Sequence, residues 1–452
     1  MKAAKSLTAA AVLTLLASGS AFAYHDGGVA YCDGCHTMHN SSGNKAMGTG
    51  SNATQLKGVT YLLQGSDQSS TCLNCHATTS AKAGSYHIMT TDAAAGGTVP
   101  SNYTPGGDFA WVKETFNYNS HGTPTTSLGE RHGHNVVAAD FGITPDSTLT
   151  TAPGGNYPAA NLACSSCHDP HGKYRIVDAA GTVQRPVVAG TGYNGANDVA
   201  VSLPINGSGS YGAAPTTTEA VGVYRLLGGP GYLPDSVSGV AGIQPFAALP
   251  PYAVAPAAYN RSEASTDTRV AYGTGMSEWC ANCHTNIHNS TANYDGGTSL
   301  IHPASSDSTL GANILANYNA YVSSGNFGGT VANAYTSMVP FEEGSNNRAN
   351  LALHAVNDGS QKGGADSNSN VMCLSCHRAH ASGWDSMTRW TNKTEFLTVA
   401  GAYPGTDSTN SSAQSYGLGR TMNEVQATFY QRPATVYATY QRSLCNKCHA
   451  KD

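Results

Sequence analysis

Charge is scarce in this sequence. Only 11% of its 452 residues are Asp, Glu, Lys or Arg, with 23 basic against 28 acidic side chains. There is no clustered basic face of the kind nucleic acid requires, so that class of partner is excluded. Long apolar runs are also missing after the first two dozen residues, and no later segment has the length of a bilayer span. Aliphatic content is thin for the size, whereas Gly, Ser, Thr, Asn, Ala and Tyr are plentiful. A loop-rich chain of this kind cannot fill its interior with Leu and Val. Something else must.

The one apolar run opens the chain: MKAAKSLTAAAVLTLLASGSAFAYHDGG. Lys2 and Lys5 give a basic start, and Ala21-Phe22-Ala23 supplies a small-x-small cleavage pattern. Residues 1–23 therefore read as a secretory signal peptide. No cysteine follows the run, so no lipid-anchored start is expected. Cleavage leaves an exported, soluble chain of 429 residues, 24–452, with 21 basic and 28 acidic side chains and a net charge of −7.

All twelve cysteines fall in six units of one form: Cys32-Asp-Gly-Cys35-His36, Cys72-Leu-Asn-Cys75-His76, Cys164-Ser-Ser-Cys167-His168, Cys280-Ala-Asn-Cys283-His284, Cys373-Leu-Ser-Cys376-His377 and Cys445-Asn-Lys-Cys448-His449. C-x-x-C-H is the signature of covalent c-type haem attachment. Two thiols one short turn apart add to the two vinyl groups on a porphyrin edge, and the adjacent histidine comes under the iron. Zinc sites also use C-x-x-C but do not require a histidine directly afterwards, and a disulfide framework has no use for the histidines. No thiol is left over, which suits an oxidising compartment. Six covalent haems in 429 residues is one per roughly 70, dense enough for the porphyrins to form much of the core. Cys32 is the ninth residue after the leader and His449 is three from the end, so the first and last haems are expected near the molecular boundary.

Each iron needs, or leaves open, a sixth ligand. An open position binds substrate; a second imidazole makes an electron carrier. Eleven further histidines are available: His25, His39, His87, His121, His132, His134, His171, His288, His302, His354 and His380. No methionine recurs at a shared offset. His39, His171 and His380 each follow a proximal histidine by three residues, in CHTMH, CHDPH and CHRAH. Three residues reach at most ~10 Å, too short to round the porphyrin rim. Each trailing histidine therefore ligates a different haem or is no ligand, and the threefold recurrence favours ligation, hence closely packed haems. His288, four residues after His284, fails the same reach test. For the remaining irons, His134, His302 and His354 lie in long inter-motif segments with apolar neighbours, and His87 is a rival for the second haem. His25 reads as a frayed terminal residue, His121 and His132 as solvated loop histidines.

Motif spacing is uneven, with 87 residues between His76 and Cys164 and 111 between His168 and Cys280. Segment 187–260 is dense in Gly, Pro, Ala, Ser and Tyr without a phosphate-cradle pattern, and reads as loop over the haems or an interaction surface. No boundary between independent domains is evident, so 24–452 is expected to be one hexahaem unit. Asp307–Val322 spaces Leu310, Ile314, Tyr318 and Val322 four apart, as one apolar helical face. Thr421-Met-Asn-Glu424 forms a capping-box pattern opening a helix through Phe429. Pro433 interrupts it, and a second short helix carries CNKCH. The C-x-x-C-H units are expected on single helical turns, with coil and a few short hairpins elsewhere. The 24 tyrosines read as aromatic packing on porphyrins rather than a radical relay.

Beyond C-x-x-C-H, the strings HDGGVAYCDGCHTMHNS, TPGGDFAWVK, TTAPGGNYPA, CSSCHDPHGKYR, RVAYGTGMSEWCANCHTNIHNS, PFEEG, CLSCHRAHASGWDSMTR and YQRSLCNKCHAKD stand out. In them the chain resembles the OmcS-type family of filament-forming, hexahaem outer-surface c-type cytochromes of metal-reducing bacteria, over nearly its whole mature length. Segments 187–260 and 101–135 match less closely. The resemblance implies mostly irregular coil around a continuous chain of bis-histidine haems, alternating stacked and T-shaped contacts, in protomers polymerised head to tail. It also implies that His39 ligates the fifth haem of the adjacent protomer. By extension, His171 closes the first haem and His380 the third.

The expected function is long-range electron transfer outside the cell, toward redox partner proteins and acceptors such as metal oxides, with no catalytic residues. Two alternatives are a monomeric periplasmic shuttle and a multihaem reductase. The first would lack the His39 contact. The second would need an open haem, often signalled by a variant attachment motif, and none exists here.

Overall fold

Turn-forming residues dominate the chain, and the backbone follows them. The computed structural model describes residues 32–36, 62–78, 87–91, 98–170, 227–254, 263, 270–287, 303–321, 339–355 and 365–449, with the short strand segments 41–42, 45–46, 175–177, 183–184 and 204–205. The leader at 1–23 and most of 187–226 lie outside these residues. The helices are short: α1 (Cys32–Cys35), α2 (Gln68–His76), α3 (Met276–Cys280), α4 (Ala312–Tyr321), α5 (Arg348–His354), α6 (Cys373–Cys376), α7 (Ser411–Tyr416) and α8 (Met422–Thr428). The longest sheet pairing among the described residues is an antiparallel hairpin in which Phe116–Ser120 faces Thr123–Ser127 across a turn at His121-Gly122. No helix among the described residues is long and apolar enough to cross a membrane.

The capping box is present as read from sequence. Thr421 accepts from Glu424 N, and the Glu424 carboxylate accepts from Thr421 N at 2.7 Å. The expected 307–322 helix starts later, at Ala312. Thr309 bridges Asn370 and Leu310 N donates to Ser369 O at 3.0 Å, so residues 308–310 pair with a neighbouring strand-like segment instead of coiling. Tyr318 of α4 is buried edge-on against Phe341, ring centroids 5.0 Å apart.

Two apolar clusters frame the motifs. One joins Leu73, Ala77 and Met89 around the second motif to Phe109, Trp111, Val112 and Phe116. The other joins Trp384, Trp390, Tyr403, Val425, Phe429 and Leu444 near the fifth and sixth. Between them runs Arg420, 1% exposed, its guanidinium 4.0 Å from the Phe116 ring and 4.4 Å from that of Trp384.

Two Pro-Gly-Gly loops seat on motifs distant in sequence. In Pro105-Gly-Gly107, a Cβ on Gly107 (φ +93°) would stand 1.8 Å from Ala381 O, while His380 N donates to Gly106 O at 2.7 Å. In Pro153-Gly-Gly155, a Cβ on Gly155 would stand 1.8 Å from Cys283 O, and Asn286 N donates to Gly154 O. Only glycine lets backbone meet backbone so closely.

Candidate haem-attachment centres

The first and fifth attachment motifs sit on single helical turns, as expected, whereas the second ends the nine-residue α2 and the fourth starts at the last residue of α3 and continues as turn. The third is a 3-10 turn at Cys164–Ser166 and the sixth another at Leu444–Lys447. The backbone N–H of His168, His284, His377 and His449 donates to the carbonyl of the first cysteine four residues earlier, at 3.0–3.1 Å. That turn brings thiols and imidazole to one side, where a porphyrin edge and its iron must meet them.

The motifs are neighbours in chain order. The Cys35 thiol is an electrostatic neighbour of Cys72, and Cys72 hydrogen-bonds Cys164. Cys167 neighbours Cys283, Cys280 hydrogen-bonds Cys373, and Cys376 neighbours Cys445 and Cys448. Close thiol pairs at motifs two–three and four–five thus alternate with looser ones at one–two, three–four and five–six.

The two close pairs are docked alike. Ser69, three residues before Cys72, accepts from Cys164 N at 3.1 Å; Ser277, three before Cys280, accepts from Cys373 N at 3.1 Å. Both serines are fully buried. On the receiving side, Ser166 and Ser375, third in their C-x-S-C units, accept from Ala163 N and Met372 N. The signal was legible as S-x-x-C-x-x-C-H in SSTCLNCH and SEWCANCH with C-x-S-C-H in CSSCH and CLSCH, but single-motif reading passes over it.

The imidazoles are held from behind. Nδ1 of His284 bonds Pro153 O at 2.8 Å, Nδ1 of His377 bonds Ser386 O at 2.8 Å, and Nδ1 of His134 bonds Ala379 O at 2.7 Å. An Nδ1–H given to a carbonyl fixes the tautomer and leaves Nε2 as the ligand atom. The His134 and His284 ring centroids are 6.2 Å apart. With metal–imidazole bonds of ~2.0 Å, two imidazoles on opposite sides of one iron lie ~6 Å apart by centroid. Burial first, then the neighbouring His284, brings His134 down to about 4, so it is neutral. Neutral imidazole is the ligating form.

His87 carries another mark. Its Nε2 is buried with no hydrogen-bond partner, a costly state for a polar atom unless something else takes its lone pair. His380 stacks on Phe109 at 4.6 Å, beside the cluster that reaches Leu162 and Cys164. His354 ends α5 with Nε2 3.8 Å from Glu343 Oε2. His25, His39, His171, His288 and His302 lie outside the described residues.

One expectation is corrected. His132, read as a solvated loop histidine, is fully buried. Nδ1 contacts Trp111 O at 3.0 Å, and Nε2 lies 2.8 Å from Ser127 Oγ and 3.3 Å from Arg420 Nη2. The neighbours RHGH look polar, but the 3-10 turn at Gly129–Arg131 rotates this ring under Phe116. His121 is exposed at the hairpin turn, as expected.

The eleven cysteines whose side chains are described are free thiols. The spaced thiol pairs, the Nδ1-anchored imidazoles and the orphaned Nε2 of His87 all fit covalently held haem.

No protein-family model matches the chain. The C-type cytochrome OmcS of Geobacter sulfurreducens is 52% identical to it over 456 residues, which covers 99% of this chain and 98% of that protein. Two solved structures superpose on it. The cryo-EM structure of OmcS nanowires from Geobacter sulfurreducens has a TM-score of 0.75 and 51% identity over 95% of this chain and 100% of its own. The outer membrane cytochrome S filament of the same organism gives 0.74 and 51% with the same coverage. Short helices, few strands and abundant coil are therefore the fold shared with those filaments, and this chain belongs to the OmcS family of c-type cytochromes.

Proposed function

We propose that this chain is an exported electron-transfer cytochrome, one hexahaem unit over residues 24–452, that polymerises head to tail and carries electrons outside the cell. The carrying observation is that the six attachment motifs succeed one another in chain order, each with a thiol electrostatically close to the next, and that two of these pairs are docked identically. Haem supplies the one-electron iron chemistry; the protein sets distance, axial ligation and dielectric. The twelve motif cysteines hold six haems, and His36, His76, His168, His284, His377 and His449 are the proximal ligands.

For the distal positions we assign His39, His87, His134, His171, His302 and His380. His134 faces His284 and serves the fourth haem. His87 takes the place first expected for His354, on the strength of its orphaned Nε2. Ile88 N donates to His76 O at 2.8 Å, so the His87 backbone adjoins the second motif. The Phe109 stack near Cys164 supports His380 as ligand of the third haem, and His171 takes the first. His39 crosses to the fifth haem of the next protomer. A contact between different surfaces of identical chains is heterologous and, without ring closure, gives a filament. Acceptors are redox partner proteins and extracellular oxidants such as metal oxides.

The test combines negative-stain microscopy with near-infrared magnetic circular dichroism of the exported protein. Filaments with wholly low-spin bis-imidazole iron are expected, and His39→Ala should give dispersed protomers with a perturbed fifth haem. Monomers carrying high-spin ferric iron in the unaltered protein would point to an enzyme instead.

A further inference from the structure

The chain carries a cluster of metal-binding donors away from the haem motifs. Glu343, His354 and Asp366 each offer a ligand atom, and these atoms lie within 4.8 Å of one another. Three separate segments deliver them, and each is fixed. Glu343 N donates to Tyr272 O at 2.8 Å, placing its carboxylate beside the strand Ala271–Tyr272. His354 is the last residue of α5, whose start is capped by Asn347 accepting from Asn350 N. Asp366 is held by Oδ1, which accepts from Asn368 N at 2.7 Å and from Ser369 Oγ at 3.4 Å.

The His354 and Glu343 side chains are 26% and 14% exposed, so the cluster is sheltered but reachable from solvent. A bare ion pair between His354 and Glu343 explains two members and leaves Asp366 as a second negative charge beside it. A divalent cation neutralises both carboxylates and accepts the imidazole nitrogen. One nitrogen and two oxygens suit a first-row divalent ion of borderline softness, with water completing the shell.

Glu342, the preceding residue, exchanges backbone hydrogen bonds with Asn370, three residues before Cys373. Its carboxylate accepts from Met276 N, at the start of the helix bearing Cys280. The cluster thus stands beside the framework that carries the fourth and fifth attachment motifs.

We infer that Glu343, His354 and Asp366 form a binding site for one divalent first-row transition cation next to the fourth and fifth haem-attachment motifs. The assignment rests on the reading that His354 is not an iron ligand. Intact holo-filaments, stripped with chelator, are to be equilibrated with Zn²⁺, a redox-silent probe, and bound metal counted per protomer. Asp366→Asn and His354→Ala are each expected to lose one equivalent, with unchanged near-infrared spectra. Equal zinc content in Asp366→Asn and the unaltered protein overturns the site and leaves an ion pair only. A high-spin haem in His354→Ala overturns it differently, by showing that His354 ligates iron. Loss of zinc in Asp366→Asn separates the site from any failure of His354→Ala to mature.

Discussion

The imidazole rings of His134 and His284 face each other with centroids 6.2 Å apart and planes inclined by 41°. His284 follows Cys283 directly, whereas His134 comes from a segment that pairs with His380, its N–H donating to His380 O at 2.9 Å. One backbone contact thus ties the ring that faces His284 to the segment leaving the fifth motif.

His134→Ala should therefore convert one of the six proposed haems from low to high spin, because it removes the imidazole that faces His284. Near-infrared magnetic circular dichroism reads this as loss of about one-sixth of the bis-imidazole intensity. A variant that remains wholly low-spin would remove His134 from the fourth iron.

The Ser69 and Ser277 contacts predict a second effect. Ser277→Ala leaves the Cys373 N–H without its acceptor, at a cost of ~1–3 kcal/mol for a buried donor. Ser69→Ala does the same at Cys164. Each variant should lower the midpoint of chemical denaturation followed by Soret circular dichroism and weaken exciton coupling in its own haem pair. Unchanged Soret couplets in both would reduce these serines to ordinary packing.

Much of this was readable in the sequence because the chemistry is local. Six C-x-x-C-H units, the Thr421–Glu424 box and the reach limit on the CHxxH histidines need only neighbouring residues. Longer-range features were hidden. His132 looked solvated because its partners, Trp111, Ser127 and Arg420, are brought in from up to 288 positions away. Residues 308–310 were read as helix because their strand-like partners, 369–371, lie outside any local window. His354 and His87 have similar apolar surroundings in sequence, and only packing tells a carboxylate-facing ring from an orphaned one.

Glu342 predicts a pH dependence. It is fully buried, with Oε1 accepting from Met276 N at 2.6 Å and Oε2 lacking a partner. Burial, opposed by the Met276 N–H and reinforced by nearby Glu278, pushes its carboxyl up to about 8. The folded protein therefore holds a proton here that the unfolded chain releases near pH ~4.3. Stability contributed at this position falls as pH rises from that value to about 8 and is level above it. Glu342→Gln should match the unaltered protein near pH ~4 and exceed it near pH ~8, in denaturation midpoints taken across that range. Parallel pH profiles for the two proteins would show that Glu342 is ionised throughout.

Arg420 gives the largest expected single-site loss. Its Nε donates to Gly383 O at 2.6 Å, Nη1 to Leu418 O at 2.8 Å and Nη2 to Ser127 Oγ at 3.2 Å. Burial lowers it to about 9, so it remains charged at neutral pH. Arg420→Met keeps much of the stem but strips three acceptors of their donor and removes the cation from between Phe116 and Trp384. Deleting one side of a buried charged network costs ~3–5 kcal/mol. Arg420→Lys retains charge yet cannot reproduce the planar fork or the double stacking, so it should rescue only part of the loss. Soret-region circular dichroism against urea separates these outcomes, because the two apolar clusters bracket motifs two and five. A lysine variant as stable as the unaltered chain would mean that charge alone, without the guanidinium plane, joins them.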